Sequence, residues 1–335
     1  MAFRVTAFDV AQRAGVTQPT VSRALNGSPK VSDETRAKVL QAAQELGYVI
    51  NQNATRLRRG ETMTLAVVLI GRAGESATET NPFYFSLLGS VAAAATARGY
   101  NLLVSFQDSP ENFFGQYDDA RQADGMIVIG TTQNPEAWAY FRGLDHADKA
   151  WVCWGAPDDD LRWVRSENEG GGRIAARYLL DCGRKQPVFI GARTSQQRQF
   201  GERYEGFAEE LRSAGLVATA IEVDETLSRE EQGVEAVRSL LQSGQAFDAI
   251  FAACDLTALG VLGALADSGI SVPERVSVIG FDGIRAGNYS SPPLTTIEPD
   301  FQQAGDLLVQ NVLNRIAGEP LTQRRVPVQL VKRGS

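Results

Sequence analysis

Histidine and cysteine are scarce in this chain. His146 is the lone histidine, and the three cysteines, Cys153, Cys182 and Cys254, form no CxxC pair. Zinc sites need clustered ligands and disulfide scaffolds need bridged pairs, so neither is expected and the thiols read as reduced and structural. No apolar run approaches the length that spans a bilayer, and the first residues lack the basic and apolar regions of a secretory signal. The expected compartment is the cytoplasm, with no membrane partner. Missing too are the GxSxG, P-loop and HExxH patterns, and His146 in "GLDHADK" has no neighbouring base. The "EGGG" at 169–172 opens a helix without the spacing of a pyrophosphate cradle, and reads as close helix packing. A non-enzyme without cofactor or metal is expected.

What is present is an ordinary globular composition, 43% hydrophobic and 22% charged, which argues against disorder. At 335 residues the chain is long enough for more than one core. Its formal charge of −7 is unevenly spread: residues 1–60 hold nine Lys/Arg against four acids, a net of +5, which leaves −12 for the rest. A basic head on an acidic body suits a chain of which only the head meets a polyanion.

The head opens with "TAFDVAQRAGVTQPTVSRALNG". Thr6 followed by Asp9 has the form of a helix cap with an acidic partner, and Gly15 stops that helix. Thr17 is placed to cap a second helix in which Pro19 lacks only an N–H that would be unpaired there, and Val21 and Leu25 form its inward stripe. Gln18, Pro19, Thr20, Ser22, Arg23 and Asn26 are left on the outer face, hydrogen-bonding groups with one guanidinium and no acid. Ser32-Asp33-Glu34 announces a third helix with a stripe of Val39, Ala43 and Leu46, ended by Gly47. Three short helices with a Gly turn between the first two make a helix-turn-helix unit whose second helix enters the major groove. On spacing alone, a helical cap with solvated arginines competes with this reading.

The runs "DVAQRAGVTQPTVSRALNG" and "VSDETRAKVLQAAQELGY", followed by N-x-x-A-x-x-L, resemble the DNA-binding head of the LacI/GalR family of bacterial regulators. The resemblance implies a head at 1–50 and a hinge helix or linker at 51–61, with DNA contacts from Thr6, Thr17 and the outer face of the second helix, and from Asn51, Ala54, Leu57 and Arg58 in the hinge. Leu57 matches a leucine that wedges into the minor groove, where an apolar side chain unstacks a base step and kinks the duplex. Ile50 stands where proline is usual, and Thr55-Arg56 replaces a common Arg-Ser order. As a plain linker the hinge segment would be too short to hold an isolated helix.

From residue 64 short β-branched runs alternate with longer amphipathic ones. "TLAVVLI" (64–70), "NLLVSF" (101–106), "GMIVIG" (125–130) and "AWVCW" (150–154) read as buried strands, with helices at "FSLLGSVAAAATARG", near Tyr117 and at "NPEAWAYFRG". The pattern restarts after "RWVRSENEGGG" with strands at 186–192, 219–223, 247–253 and 275–281. Two α/β lobes with parallel sheets are expected, with a ligand in the cleft outside the C-terminal strand ends. "NPFYFSLLGSV", "ERYEGF", "VPERVSVIGFDG" and "SPPLTTI" resemble the periplasmic-binding-protein-like sensor of the same family. The resemblance places a sensor and dimerisation domain at 62–335, with lobe 1 at about 62–163 and 293–320 and lobe 2 at about 164–292 and 321–331.

In such a cleft Phe83 and Tyr84 either stack on a sugar ring or pack in the core. Arg203, in "GERYEGF", matches the family's guanidinium that forks onto ligand oxygens. Asp282 and Asp255 follow buried strands, where a carboxylate takes two hydroxyl protons or caps a helix. Thr131, Trp154, Gln197 and Gln199 are further candidates, and "DETLSREEQG" lacks the aromatic wall common after the 219–223 strand. The expectation is a homodimeric repressor that reads a pseudo-palindromic operator and responds to a sugar. Corepression by a purine or a protein partner is the variant within the family. A sugar-converting enzyme with an accessory head would need a titratable pair in the cleft.

Overall fold

The computed structural model describes residues 5–25, 27–48, 61–145, 149–193, 198–322 and 324–335. The chain divides into two compact units, Met1–Thr62 and Met63–Ser335.

In the first unit α1 (Ala7–Ala14), α2 (Gln18–Leu25) and α3 (Asp33–Glu45) pack around a small core. A capping box starts α1: the Asp9 N–H donates to Thr6 Oγ1 at 3.4 Å and the Thr6 N–H donates to Asp9 Oδ2 at 2.8 Å. Gly15, at φ +65°, ends it in the left-handed conformation that a Cβ disfavours, and so turns the chain into α2. The core is Val10, Ala11, Val21, Ala24, Val31, Val39, Ala42 and Ala43. Ala24 takes the place expected of Leu25, which is only half-buried, and small residues let the helices approach closely.

The second unit holds two six-stranded sheets. The first contains β1 (Thr64–Ile70), β2 (Asn101–Gln107), β3 (Gly125–Gly130), β4 (Trp151–Trp154), β5 (Trp163–Ser166) and β11 (Arg325–Val326), in the order β11-β5-β4-β3-β1-β2 and all parallel. The second contains β6 (Pro187–Ile190), β7 (Thr219–Ile221), β8 (Ala249–Ala252), β9 (Ser277–Phe281), β10 (Thr295–Pro299) and β12 (Val328–Val331), in the order β12-β10-β9-β8-β6-β7 with β12 antiparallel.

The period of two in β1 feeds both faces of its sheet. Leu65, Val67 and Leu69 meet α4 (Pro82–Ala97) and α10 (Phe301–Ile316), whereas Ala66, Val68 and Ile70 meet α5 (Pro135–Asp145). In the second lobe β8 sends Ile250 and Ala252 toward α8 (Arg229–Ser243) and α9 (Asp255–Asp267), and Ala249 and Phe251 toward α6 (Asn168–Asp181) and α7 (Arg198–Ser213). Gly171 and Gly172 serve packing: a Cβ on Gly171 would lie 2.5 Å from the Phe281 ring and one on Gly172 2.0 Å from Arg203 O, and on the facing helix one on Gly206 would lie 1.9 Å from Glu169 O. Only bare backbones let α6 and α7 come this close.

Two expectations are corrected. The segment near Tyr117 is not a helix; residues 108–124 form turns, in which Tyr117 is buried as a plug that receives the Gln107 side-chain amide at 3.1 Å and stacks edge-on to Phe114. Pro110 and Gly115 break any helical run there. The lobe limits also move. β5 and β11 pair through Arg165 with Arg325 and extend the first sheet, while β10 pairs with β9 in the second, so the chain crosses between lobes just after Ser166, Pro299 and Val326. Among the described residues no helix is long and apolar enough to cross a membrane and no cluster of side chains could hold a metal ion. The cysteines form no disulfide.

Candidate DNA-reading helix and interlobe cleft

In the first unit α2 turns Val21 and Ala24 inward and leaves Gln18, Pro19 and Arg23 exposed, with Thr20 and Ser22 half-buried. Thr17 is exposed and its hydroxyl lies 2.9 Å from that of Thr20. The first turn of α2 carries no acid, so its N-terminus and Arg23 form a surface suited to phosphates and base edges. Thr6 is exposed, with its hydroxyl engaged by Asp9. Asn26, Asn51, Ala54, Leu57 and Arg58 lie outside the described residues.

In the second unit the strand ends of the two lobes face each other across a cleft with two chambers. The inner one, about 40 Å³, is lined by Phe83 and Tyr84 from α4, Trp154 and Gly155 after β4, Arg165 and Ser166 from β5, Asn168 from α6, Gln199, Phe200 and Arg203 from α7, Arg229 from α8 and Asp282 after β9. The outer one, about 720 Å³, shares Asn81, Tyr84 and Arg229 with it and adds Arg72, Thr80, Thr131 and Gln133.

Arg203 is the centre of the inner chamber. Its guanidinium lies 3.5 Å above the Phe281 ring, donates from Nε to Asn168 Oδ1 at 3.0 Å and from Nη1 to Ala253 O, and sits 3.3 Å from Asp282 Oδ1. Burial pushes its proton affinity down, against the pull of Asp282. Asp282 holds a non-glycine left-handed backbone, φ +117°, a conformation that costs about 1–3 kcal/mol and persists only where its surroundings enforce it. Burial raises its carboxyl to about 6, while Arg203 and then Arg229 oppose the rise.

Phe83 and Trp154 serve two roles. Both are nearly buried in the first-lobe core, with Phe83 5.8 Å from Trp154 and 5.4 Å from Phe301, and both still present an edge to the chamber. Tyr84, edge-on to Phe83 at 5.7 Å, lines both chambers, and burial raises its hydroxyl's pKa. Gln199 brings a buried Oε1 that accepts no hydrogen bond, and Thr80 brings an equally unpartnered hydroxyl to the outer chamber. Buried polar atoms without a partner are costly, so these two atoms are open hydrogen-bonding positions on the chamber walls.

Two of the expected residues stand apart. Thr131 reaches only the outer chamber, where its hydroxyl accepts the Gln133 N–H at 3.1 Å. Asp255 is off the cleft wall altogether. Its carboxylate is fully buried under Gly280, accepting the Ile284 N–H at 2.8 Å and the Thr296 hydroxyl at 2.6 Å, and so ties α9 to β9 and β10. Burial, reinforced by Asp282, raises it to about 8. Gln197 lies outside the described residues.

Sequence reasoning missed Asn81, Arg165, Asn168, Phe200 and Arg229, all polar or aromatic residues at element ends. It also missed how the cleft's mouth is spanned. Arg72, in lobe 1, donates to the main-chain carbonyls of Glu225 at 3.0 Å, Thr226 at 3.2 Å and Leu227 at 3.4 Å in lobe 2, and the Gln133 amide donates to Glu225 O at 3.3 Å. The loop without an aromatic wall is the one that reaches across.

Comparison with known proteins agrees with both units. Residues 6–51 match the family of bacterial regulatory proteins, lacI family, and residues 176–335 match the periplasmic binding protein-like domain. The HTH-type transcriptional regulator CelR of Thermobifida fusca is 33% identical over 334 residues, covering 96% of this chain and 94% of that protein. A solved complex of the transcriptional regulator CelR with cellobiose superimposes with a TM-score of 0.69 at 30% identity, covering 99% of this chain and 100% of the other. The lac repressor dimer bound to operator and the anti-inducer ONPF gives a TM-score of 0.76 at 26% identity, covering 99% of both chains. A helix-turn-helix head joined to a two-lobed α/β body, similar to these regulators along nearly all its length, makes this chain a member of the lacI family of DNA-binding transcriptional regulators.

Proposed function

We propose that the chain is a homodimeric repressor whose operator affinity is set by a sugar bound between the two lobes of its sensor, and that it performs no catalysis. The observation that carries the sugar reading is the unpartnered Gln199 Oε1, buried in a chamber that also offers the Arg203–Asp282 pair and the edges of Tyr84 and Trp154. Acceptors, a forked donor and an aromatic wall together suit a ring rich in hydroxyls. The cellobiose in the CelR complex gives the first disaccharide to try. The inner chamber, at about 40 Å³, does not admit a sugar ring in this form, whereas the outer one has the size of an ordinary ligand site. Contact of a sugar ring with Gln199 and Arg203 in the inner chamber therefore requires the lobes to part or Arg203 and Asp282 to yield, and a ligand that treats the two forms differently shifts their balance.

On the DNA side, Thr17, Gln18, Pro19, Thr20, Ser22 and Arg23 would contact each operator half-site and Thr6 the backbone, with Asn26, Asn51, Ala54, Leu57 and Arg58 as further contacts. A face for the second protomer is offered by α4 and the edge strand β2, where Phe85 and Val104 are large apolar residues 43% and 50% exposed. With operator DNA as its partner, the protein would work in the cytoplasm, with the nucleoid.

The test is a thermal melt of the protein against cellobiose, other mono- and disaccharides, sugar phosphates and purines. A ligand at about 100 times its Kd adds about 2.7 kcal/mol, a shift of several degrees. A saccharide that raises the melting point and changes operator affinity supports the reading. A shift by purines alone, or by none of the panel, removes the sugar.

A further inference from the structure

The ligand-facing Arg203 is the end of a continuous chain of hydrogen bonds that runs to two of the three crossings between the lobes. Asn168, the first residue of α6, accepts from Arg203 Nε at 3.0 Å and donates its amide to Glu202 Oε2 at 2.8 Å. Glu202 takes both arms of Arg325, at 2.7 and 3.1 Å, and Arg165 Nη1 at 3.1 Å. Arg165 and Arg325 are register partners on β5 and β11, the strands from which the chain leaves lobe 1 for lobe 2. Arg165, Arg324 and Arg325 stand 4.3, 4.1 and 4.8 Å from the centre of the Trp163 ring.

We infer that Glu202 and Asn168 are positioning residues that couple the state of Arg203 to the interlobe strands β5 and β11, and so set how the lobes respond to a ligand. The inference rests on the reading of Arg203 as a ligand contact.

Three physical points support it. Glu202, Asn168 and Arg165 are at most 3% exposed, so none of them finds water when a partner leaves. Glu202 carries a carboxylate that joins a second-lobe helix to both strands, with its hydrogen bonds all from donors, so a shift of Asn168 moves a charge that both strands depend on. Adjacent residues of α7, Glu202 and Arg203, face the hinge and the chamber respectively, so a movement of that turn toward the ligand is felt at the strands.

The experiment is hydrogen exchange by mass spectrometry on the full-length protein without ligand, which separates this inference from the sugar reading. Arg203→Ala should raise exchange severalfold in peptides covering 163–167 and 324–327, whose amides include the Arg165 N–H on Arg324 O and the Glu167 N–H on Val326 O. In a Glu202→Gln background the same change should add less than twofold. Peptides from β1 should stay unchanged, as a control for global loosening. Where Glu202→Gln does not fold, Arg325→Lys supplies the background. No response of β5 and β11 to Arg203→Ala, or an equal added response in both backgrounds, overturns the coupling, because a merely structural glutamate leaves the two effects additive. With cellobiose present, a coupled system loses between about fivefold and 150-fold of ligand-dependent change in operator affinity in Glu202→Gln, the range of ordinary allosteric coupling. No stabilisation of the wild-type protein by cellobiose would count against that sugar and leave the exchange result standing.

Discussion

Arg203 is held by Asn168, Ala253 and Asp282, so on the proposed reading a ligand would have to offer oxygens that a fork of donors meets better than these. Arg203→Ala is expected to remove the ligand-driven change in operator affinity, and Arg203→Lys to do nearly the same, since an ammonium cannot hold two oxygens side by side. Anisotropy titration of labelled operator with and without ligand checks both, and a retained response moves the site. The buried acids bear on pH. Asp255 and Asp282 have folded pKa values near 8 and 6, above the ordinary carboxylate value, so between about pH 4 and 8 the native state holds more protons than the unfolded chain and their contribution to stability falls as pH rises. Asp255→Asn is expected to flatten that fall in melting point across the window, and an unchanged slope would assign it elsewhere. Arg203 and Asp282 were legible in the sequence because each sits in a motif that the family resemblance singles out, Arg203 within α7 and Asp282 directly after β9. Asp255 has the same position after a strand, and only the packing of Gly280 over its carboxylate decides that it faces inward. Arg229 and Asn168 look like solvated helix starts until the elements packed around the cleft are in view.

At the level of elements, the glycine contact between α6 and α7 holds Arg203 in place. Gly172→Ala puts a methyl within 2.0 Å of the Arg203 carbonyl, and overpacking of this kind costs about 1–3 kcal/mol or more. A drop of several degrees in melting point together with a weakened ligand response is expected, and a normal response at a lowered melting point would separate the packing from the site. On α2, Arg23→Ala should cost about 1–3 kcal/mol in specific operator affinity, the worth of a good base contact, with little change in binding to random DNA; equal losses on both would reduce Arg23 to a phosphate contact. The helices of both units were readable by their 3.6 period, and the central strands of the second unit as short continuous apolar runs. The turns at 108–124 were not, since apolar Phe113, Phe114 and Tyr117 mimic a helical stripe while Pro110 and Gly115 prevent one. The two-residue β11 and the short β5 carry too little pattern to show in advance which sheet they extend.

Across the whole sensor, the relation between lobes is governed by contacts far apart in sequence, which is why one crossing follows Pro299 and not residue 293, while those at Ser166 and Val326 fall close to where similarity placed them. Arg72 bridges more than 150 residues to reach the 225–227 loop. Its removal takes charge-assisted hydrogen bonds from the mouth of the cleft, so Arg72→Ala should open the body, seen as a larger radius of gyration in solution scattering. It should also speed ligand dissociation about tenfold, the effect of about 1.4 kcal/mol. An unchanged radius and off-rate would make the bridge incidental. Because Arg72 grips carbonyl oxygens and not side chains, the hold does not depend on which amino acids occupy Thr226 and Leu227. Diversity can accumulate in that loop, by drift or by design, and retune what the regulator senses while the closing gesture itself is inherited intact.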